Sequence, residues 1–160
     1  MDTHYQRRKF FNKMKSQNFR SGEQVSPVKY DFDSLPRNGY IELPTDKDKE
    51  ILDEMLTTFQ EFYGITLEQM MSRKQYHWQA IIRQHFFWFV DLYKERSKYD
   101  NEPFNPTDRF VAAMFGKVHA MFKYGKKTID LLLQTEPQLR GTHEDLCDLL
   151  EERLDRFELG

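Results

Sequence analysis

The sequence predicts an all-α fold, and three observations carry that prediction. Apolar residues recur at three- and four-residue spacing in several separate stretches. Threonine and aspartate stand where those stretches begin, as helix caps do. No segment alternates with period two, so no strand is expected.

Residues 1–45 read as an arm. "RRKFFNKMKSQNFR" has the makings of a short basic amphipathic helix, but Ser21, Gly22, Pro27, Pro36, Gly39 and Pro44 break any regular pattern after it. Tyr30, Phe32 and Tyr40 imply that this strap packs against something. Residues 46–160 read as a helical domain. Thr45 is the expected cap of a helix carrying Ile51, Leu52, Met55, Leu56, Phe59 and Phe62, with Asp46 and Asp48 suited to the dipole of its first turn. Gly64 is its natural stop, and Thr66 opens the short helix "LEQMM".

A longer helix is predicted from about Trp78 to Tyr93, burying Ile81, Ile82, Phe86, Phe89 and Val90. "SKYDNEPFNP" is a loop, after which Thr107 caps "RFVAAMF". Gly116 makes a turn and a further helix covers about 117–134. Pro137 and Gly141 are read as punctuation, with Thr142 and Asp145 as a capping box that opens a final acidic helix through Arg156.

Composition limits the function. A hydrophobic content of 39%, including 14 Phe, suffices for one aromatic-rich core. No apolar run is long enough for a membrane span, because Arg83, Gln84 and His85 interrupt "WQAIIRQHFFWFV". The basic first residues lack an apolar signal core, and the lone Cys147 rules out an intramolecular disulfide, so a cytoplasmic protein is expected. The net charge of −2 conceals segregation: Lys and Arg dominate residues 1–29 and 60–129, whereas Asp and Glu dominate 30–59 and 130–160. Such a chain can present basic surfaces to a polyanion.

Enzyme motifs are scarce. No phosphate-cradling glycine loop is present, so no nucleotide is expected. His143 and Cys147 stand at i, i+4, but two ligands do not make a zinc site, and no metal or other cofactor is expected. His77 and His85 have no carboxylate at catalytic spacing, so the expectation is a protein that is not an enzyme.

Binding residues are better represented. The capped helix at Thr107, the turn at Gly116 and the following helix match a helix-turn-helix over about 107–134, whose second helix would meet base edges. "SRKQYHWQ" is a second basic element, with Arg73 and Lys74 suited to phosphates.

Together these two elements resemble one family. From about Phe59 to Leu154 the chain is similar to the C-terminal DNA-binding domain (domain IV) of the bacterial chromosomal replication initiator DnaA. "GITLEQMMSRKQYHWQAIIRQ" matches the family's short helix, basic loop and Arg-Gln opening of the long helix. "TDRFVAAMFGKVHAMFKYGKKTIDLLLQTEPQLRG" matches the helix-turn-helix and the Lys-Lys-Ile segment, with His119 on the signature histidine.

The resemblance implies a Trp-repressor-like helical domain that binds double-stranded DNA. Lys117, His119, Ala120, Met121 and Lys123 would lie at the groove, with Arg73, Lys74, His77 and Lys126 near phosphates. The arm residues Arg7, Arg8, Lys9 and Lys13 would track the backbone or minor groove. The departures are specific. The family's Arg-Asp-His-Thr-Thr positions become Lys117, Val118, His119, Ala120 and Met121, and Gln75 and His77 replace arginines of the basic loop. The loop between Leu92 and Thr107 is longer, and the initiator's ATPase module has no counterpart here.

Two roles follow as expectations. One is a bacterial or phage regulator or replication accessory with weak or altered sequence specificity. The other is a repurposed structural or interaction module, for example in a phage or multi-subunit assembly, whose Val118, Met121 and Phe122 meet a protein partner or a second copy. Family register favours core packing for Phe122, and Trp78 reads as a packing residue. Lys126 and Lys127 are equally readable as a solvated outer face.

Overall fold

A computed structural model of the chain describes residues 25–35, 42–72 and 77–157. The described residues form six α-helices: α1 (Asp46–Tyr63), α2 (Leu67–Met71), α3 (His77–Ser97), α4 (Asp108–Met114), α5 (His119–Thr135) and α6 (Pro137–Leu154). Single 3-10 turns lie at Phe32–Ser34 and Asp155–Phe157. The described residues include no strand, as the sequence pattern requires.

Local chemistry sets the helix ends. At Thr45 the hydroxyl accepts from the Asp48 amide while the Asp48 carboxylate accepts from the Thr45 amide, a reciprocal capping box. The other oxygen of the buried Asp48 accepts from the Asn105 amide at 3.2 Å, so the cap also pins the 98–107 loop. Gly64 ends α1 in the left-handed conformation, φ 62°. Thr66 and Gln69 repeat the capping box on α2. All six apolar positions predicted for α1 are buried.

α3 is the central helix. It packs on α1, α2 and α5, and α6 closes over α1 and α5. Because it is covered on several sides, its buried residues include Phe87 as well as the predicted Ile81, Ile82, Phe86, Phe89 and Val90. Phe59 meets Phe86 edge-to-face at 5.3 Å, an arrangement the ring quadrupoles favour. α5 approaches α3 closely at Gly125. A methyl there would lie 3.1 Å from Gln84 Cγ and 3.2 Å from Phe87 Cδ2.

Residues 25–35 form a strap across α1 and α4. The Gln60 amide, fully buried, exchanges two hydrogen bonds with the Val28 backbone, at 3.0 and 2.9 Å. The Tyr30 amide donates to Asp53, and its hydroxyl donates to the Met114 carbonyl at 3.1 Å. Phe32 stacks on Phe110, with ring centroids 6.1 Å apart. The expected packing of Tyr30 and Phe32 is therefore observed, while Tyr40 lies outside the described residues. Burial pushes the Tyr30 phenol up to about 12, assisted by the charge of Asp31.

One boundary needs correction. The final helix does not open at Thr142; it opens at Pro137, in the first helical turn, where a missing N–H costs nothing. Gly141 is inside the helix, and the Thr142 hydroxyl donates to the Gln138 carbonyl one turn back. Leu139 is fully buried in phase with Leu146, Leu150 and Leu154, and that burial carries the helix through the glycine.

Candidate nucleic-acid interface

The turn between α4 and α5 is built on a tight C-terminal motif. Gly116, at φ 68°, donates to the Ala113 carbonyl at 2.9 Å, and Lys117 donates to Ala112 at 2.9 Å. These two bonds satisfy the last carbonyls of α4 as a Schellman motif does. Thr107 caps the other end of α4 through the Phe110 amide. The strap braces the turn by Tyr30, which binds the carbonyl immediately before Phe115.

α5 then begins at His119. Its N-cap is Val118, which makes no side-chain cap bond, and its first turn holds no acid. The interior side of α5 is anchored by Phe122, Gly125, Ile129 and Leu132. Ala120, Lys123, Tyr124, Lys127 and Leu131 are all exposed, at the three- and four-residue spacing that aligns them on one face. From Lys117 to Ile129 the chain carries four lysines and one histidine and no Asp or Glu.

The sequence-predicted site residues separate accordingly. His119, Ala120 and Lys123 are exposed, and Lys117 and Met121 are half-buried beside them. Lys126 differs. Its ammonium is held at 2.7 Å by Asp91 of α3, so it is engaged within the protein, and Lys127 is the exposed cation of the pair. His77 is half-buried as the first residue of α3. Arg73 and Lys74, like Arg7, Arg8, Lys9 and Lys13, lie outside the described residues. Phe122 is fully buried, as its register predicts, and so cannot meet a partner.

Two exposed groups were not singled out from the sequence. Tyr124 is 58% exposed and Leu131 is 52% exposed, alongside Val118 at 67%. The helical spacing from Ala120 was the available signal for both.

A polar chain elsewhere runs from the buried Tyr63 and His85 to the half-buried His143 and Cys147. Tyr63 Oη is 2.6 Å from His85 Nδ1, His85 Nε2 is 2.9 Å from His143 Nδ1, and His143 Nε2 is 3.4 Å from Cys147 Sγ. With the Tyr63 hydroxyl donating, each histidine accepts at Nδ1 and donates from Nε2, which leaves Cys147 as the acceptor. Burial raises the Tyr63 phenol and lowers both imidazoles, and it pushes the Cys147 thiol up to about 11 with help from Glu151. A thiol in that state is a poor nucleophile. Among the described residues no group of three or more His, Cys, Asp or Glu is placed to hold a metal ion. No helix among them is long and apolar enough to cross a membrane.

Comparison of the chain with protein-family models, curated proteins and solved structures gives no match.

Proposed function

We propose that the protein binds double-stranded DNA, with α5 entering the major groove and acting as a reading helix of weak or altered sequence specificity. In this reading it serves as a regulator or replication accessory of bacterial or phage origin, related in fold to domain IV of DnaA. The observation that carries the reading is the acid-free run from Lys117 to Ile129, on a helix with one exposed face directly after a left-handed turn. Lys117, Lys123 and Lys127 give that helix a cationic margin suited to phosphates, and the exposed His119 stands beside them. Its first turn has no competing side-chain cap, which suits the backbone amides to an anion as well.

The test is a titration of random duplex DNA over a range of salt concentrations. Affinity should fall steeply with salt, by a log–log slope of about 0.9 for each phosphate neutralised. Lys123→Ala should weaken binding and reduce the slope without altering the fold. Absence of binding at low salt overturns the proposal.

A second reading has its own support. Val118, Tyr124 and Leu131 are large apolar groups exposed on or beside the same helix, and aromatic anchors are favoured in protein interfaces. On that reading α5 meets a protein partner or a second copy, and Tyr124→Ala disrupts a complex that salt does not.

A further inference from the structure

The chemistry of the α5 surface limits what it can read in a major groove. Adenine and cytosine present amino groups there, which proteins recognise with amide or carboxylate acceptors. Between Lys117 and Ile129 there is no Asn, Gln, Asp or Glu. Lysine and histidine on this run can approach guanine N7 and O6 or the phosphates. The remaining exposed groups at the start of the helix are apolar. Val118 stands at the N-cap, 67% exposed, Ala120 is exposed one residue into the helix, and Met121 is half-buried next to it. An apolar side chain in a major groove has one base-specific partner, the C5-methyl of a pyrimidine.

We propose that this protein discriminates among duplexes by C5-methyl groups, which Val118 and Ala120 contact while the flanking lysines hold the backbone. Thymine supplies that methyl in unmodified DNA, and 5-methylcytosine presents the same group. The inference rests on the DNA-binding reading above and names the feature that this surface would recognise. The cationic margin provides affinity for any duplex, and the apolar pair adds a preference set by methyl pattern. Asp or Asn at 118 would instead favour a base amino group, which the Val118 side chain cannot engage.

Deoxyuridine differs from thymidine only by this methyl, which gives an atomic test on the full chain. Binding is measured by anisotropy on a pool of random duplexes, on the same pool with thymine replaced by uracil, and on a pool with cytosine replaced by 5-methylcytosine. Removing a contacted methyl should weaken binding about three- to five-fold, the effect of one buried methyl-sized group. Methylcytosine should strengthen it by a similar factor.

The variant Val118→Ala with Ala120→Ser changes two exposed side chains and adds no cap acceptor at 118, so the fold and the free first-turn amides are retained. It should abolish the thymine–uracil difference and leave the salt slope unchanged. Equal binding of the thymine and uracil pools overturns methyl recognition while the DNA-binding reading stands. A thymine–uracil ratio that persists in the double variant overturns the assignment to these residues. No binding to any pool overturns the DNA-binding reading, and the inference with it.

Discussion

His85 on α3 and His143 on α6 meet nitrogen to nitrogen, Nε2 to Nδ1, at 2.9 Å. The contact needs one donor and one acceptor, so at least one imidazole must stay neutral. Burial already lowers both from the ordinary value of 6.5, with the neighbouring His143 adding to the effect at His85. In the unfolded chain the same groups protonate near that ordinary value. Stability is therefore complete above about pH 6.5 and declines as the pH falls below it, because the unfolded state takes up protons that the fold refuses. Urea midpoints measured from pH 8 to pH 5 should be flat at first and then fall. His143→Gln keeps an acceptor for His85 and removes one titrating group, so its decline should be shallower. Parallel curves for the two proteins would refute the assignment.

The α3–α5 crossing depends on a missing side chain. Gly125→Val places branched carbon against Gln84 and Phe87, where even a methyl is crowded. The helices must separate or the side chains leave their rotamers, at about 1–3 kcal/mol. Chemical denaturation should show this loss. The same change at Gly141, which has no atom within 4 Å of a notional Cβ, should not crowd the fold.

Tyr30→Phe removes the bond to the Met114 carbonyl and retains the ring that meets Phe32 edge-on at 4.9 Å. The expected cost is about 0.5–1.5 kcal/mol, the net value of one hydrogen bond. Thermal unfolding measures it. A neutral result would show that the strap contributes through its rings and its backbone bonds to Gln60 and Asp53.

Adjacent lysines should behave differently. Lys127→Ala removes an exposed cation of the α5 face and should lower the salt slope of DNA binding by about 0.9. Lys126→Ala removes a partner of Asp91 instead. Its main effect should be a loss of stability below about 1 kcal/mol, as for other partly exposed ion pairs. Equal effects of the two changes on the slope would contradict the separation of their roles.

The helices were legible because caps and spacing are local. Thr45, Gly64, Thr66, Thr107 and Gly116 each end or begin an element where the sequence predicts. Thr142 misled because Thr-x-x-Asp also occurs within helices, and only the burial of Leu139 distinguishes the two cases. The pairing of Lys126 with Asp91 and of His85 with His143 joins residues on different helices, so spacing along the chain cannot reveal it. The outer face of α5 was half legible. Its lysines and histidine were visible as charge, whereas Tyr124 was overlooked between them and proves exposed.

The strap also has a consequence for the order of folding. Its contacts to Asp53, Gln60 and Met114 span 23, 32 and 84 residues of chain. Long closures form after the local helices they join, since their entropy cost precedes any reward. The strap therefore latches a body whose α1 and α4 are already made, and Tyr30 finds the Met114 carbonyl only once the turn exists. A segment that is half-buried or exposed along its length also opens ahead of the core. The bracing of the turn thus follows the making of α1 and α4 and is lost before them, so Tyr30 can release the Met114 carbonyl while those helices stay folded.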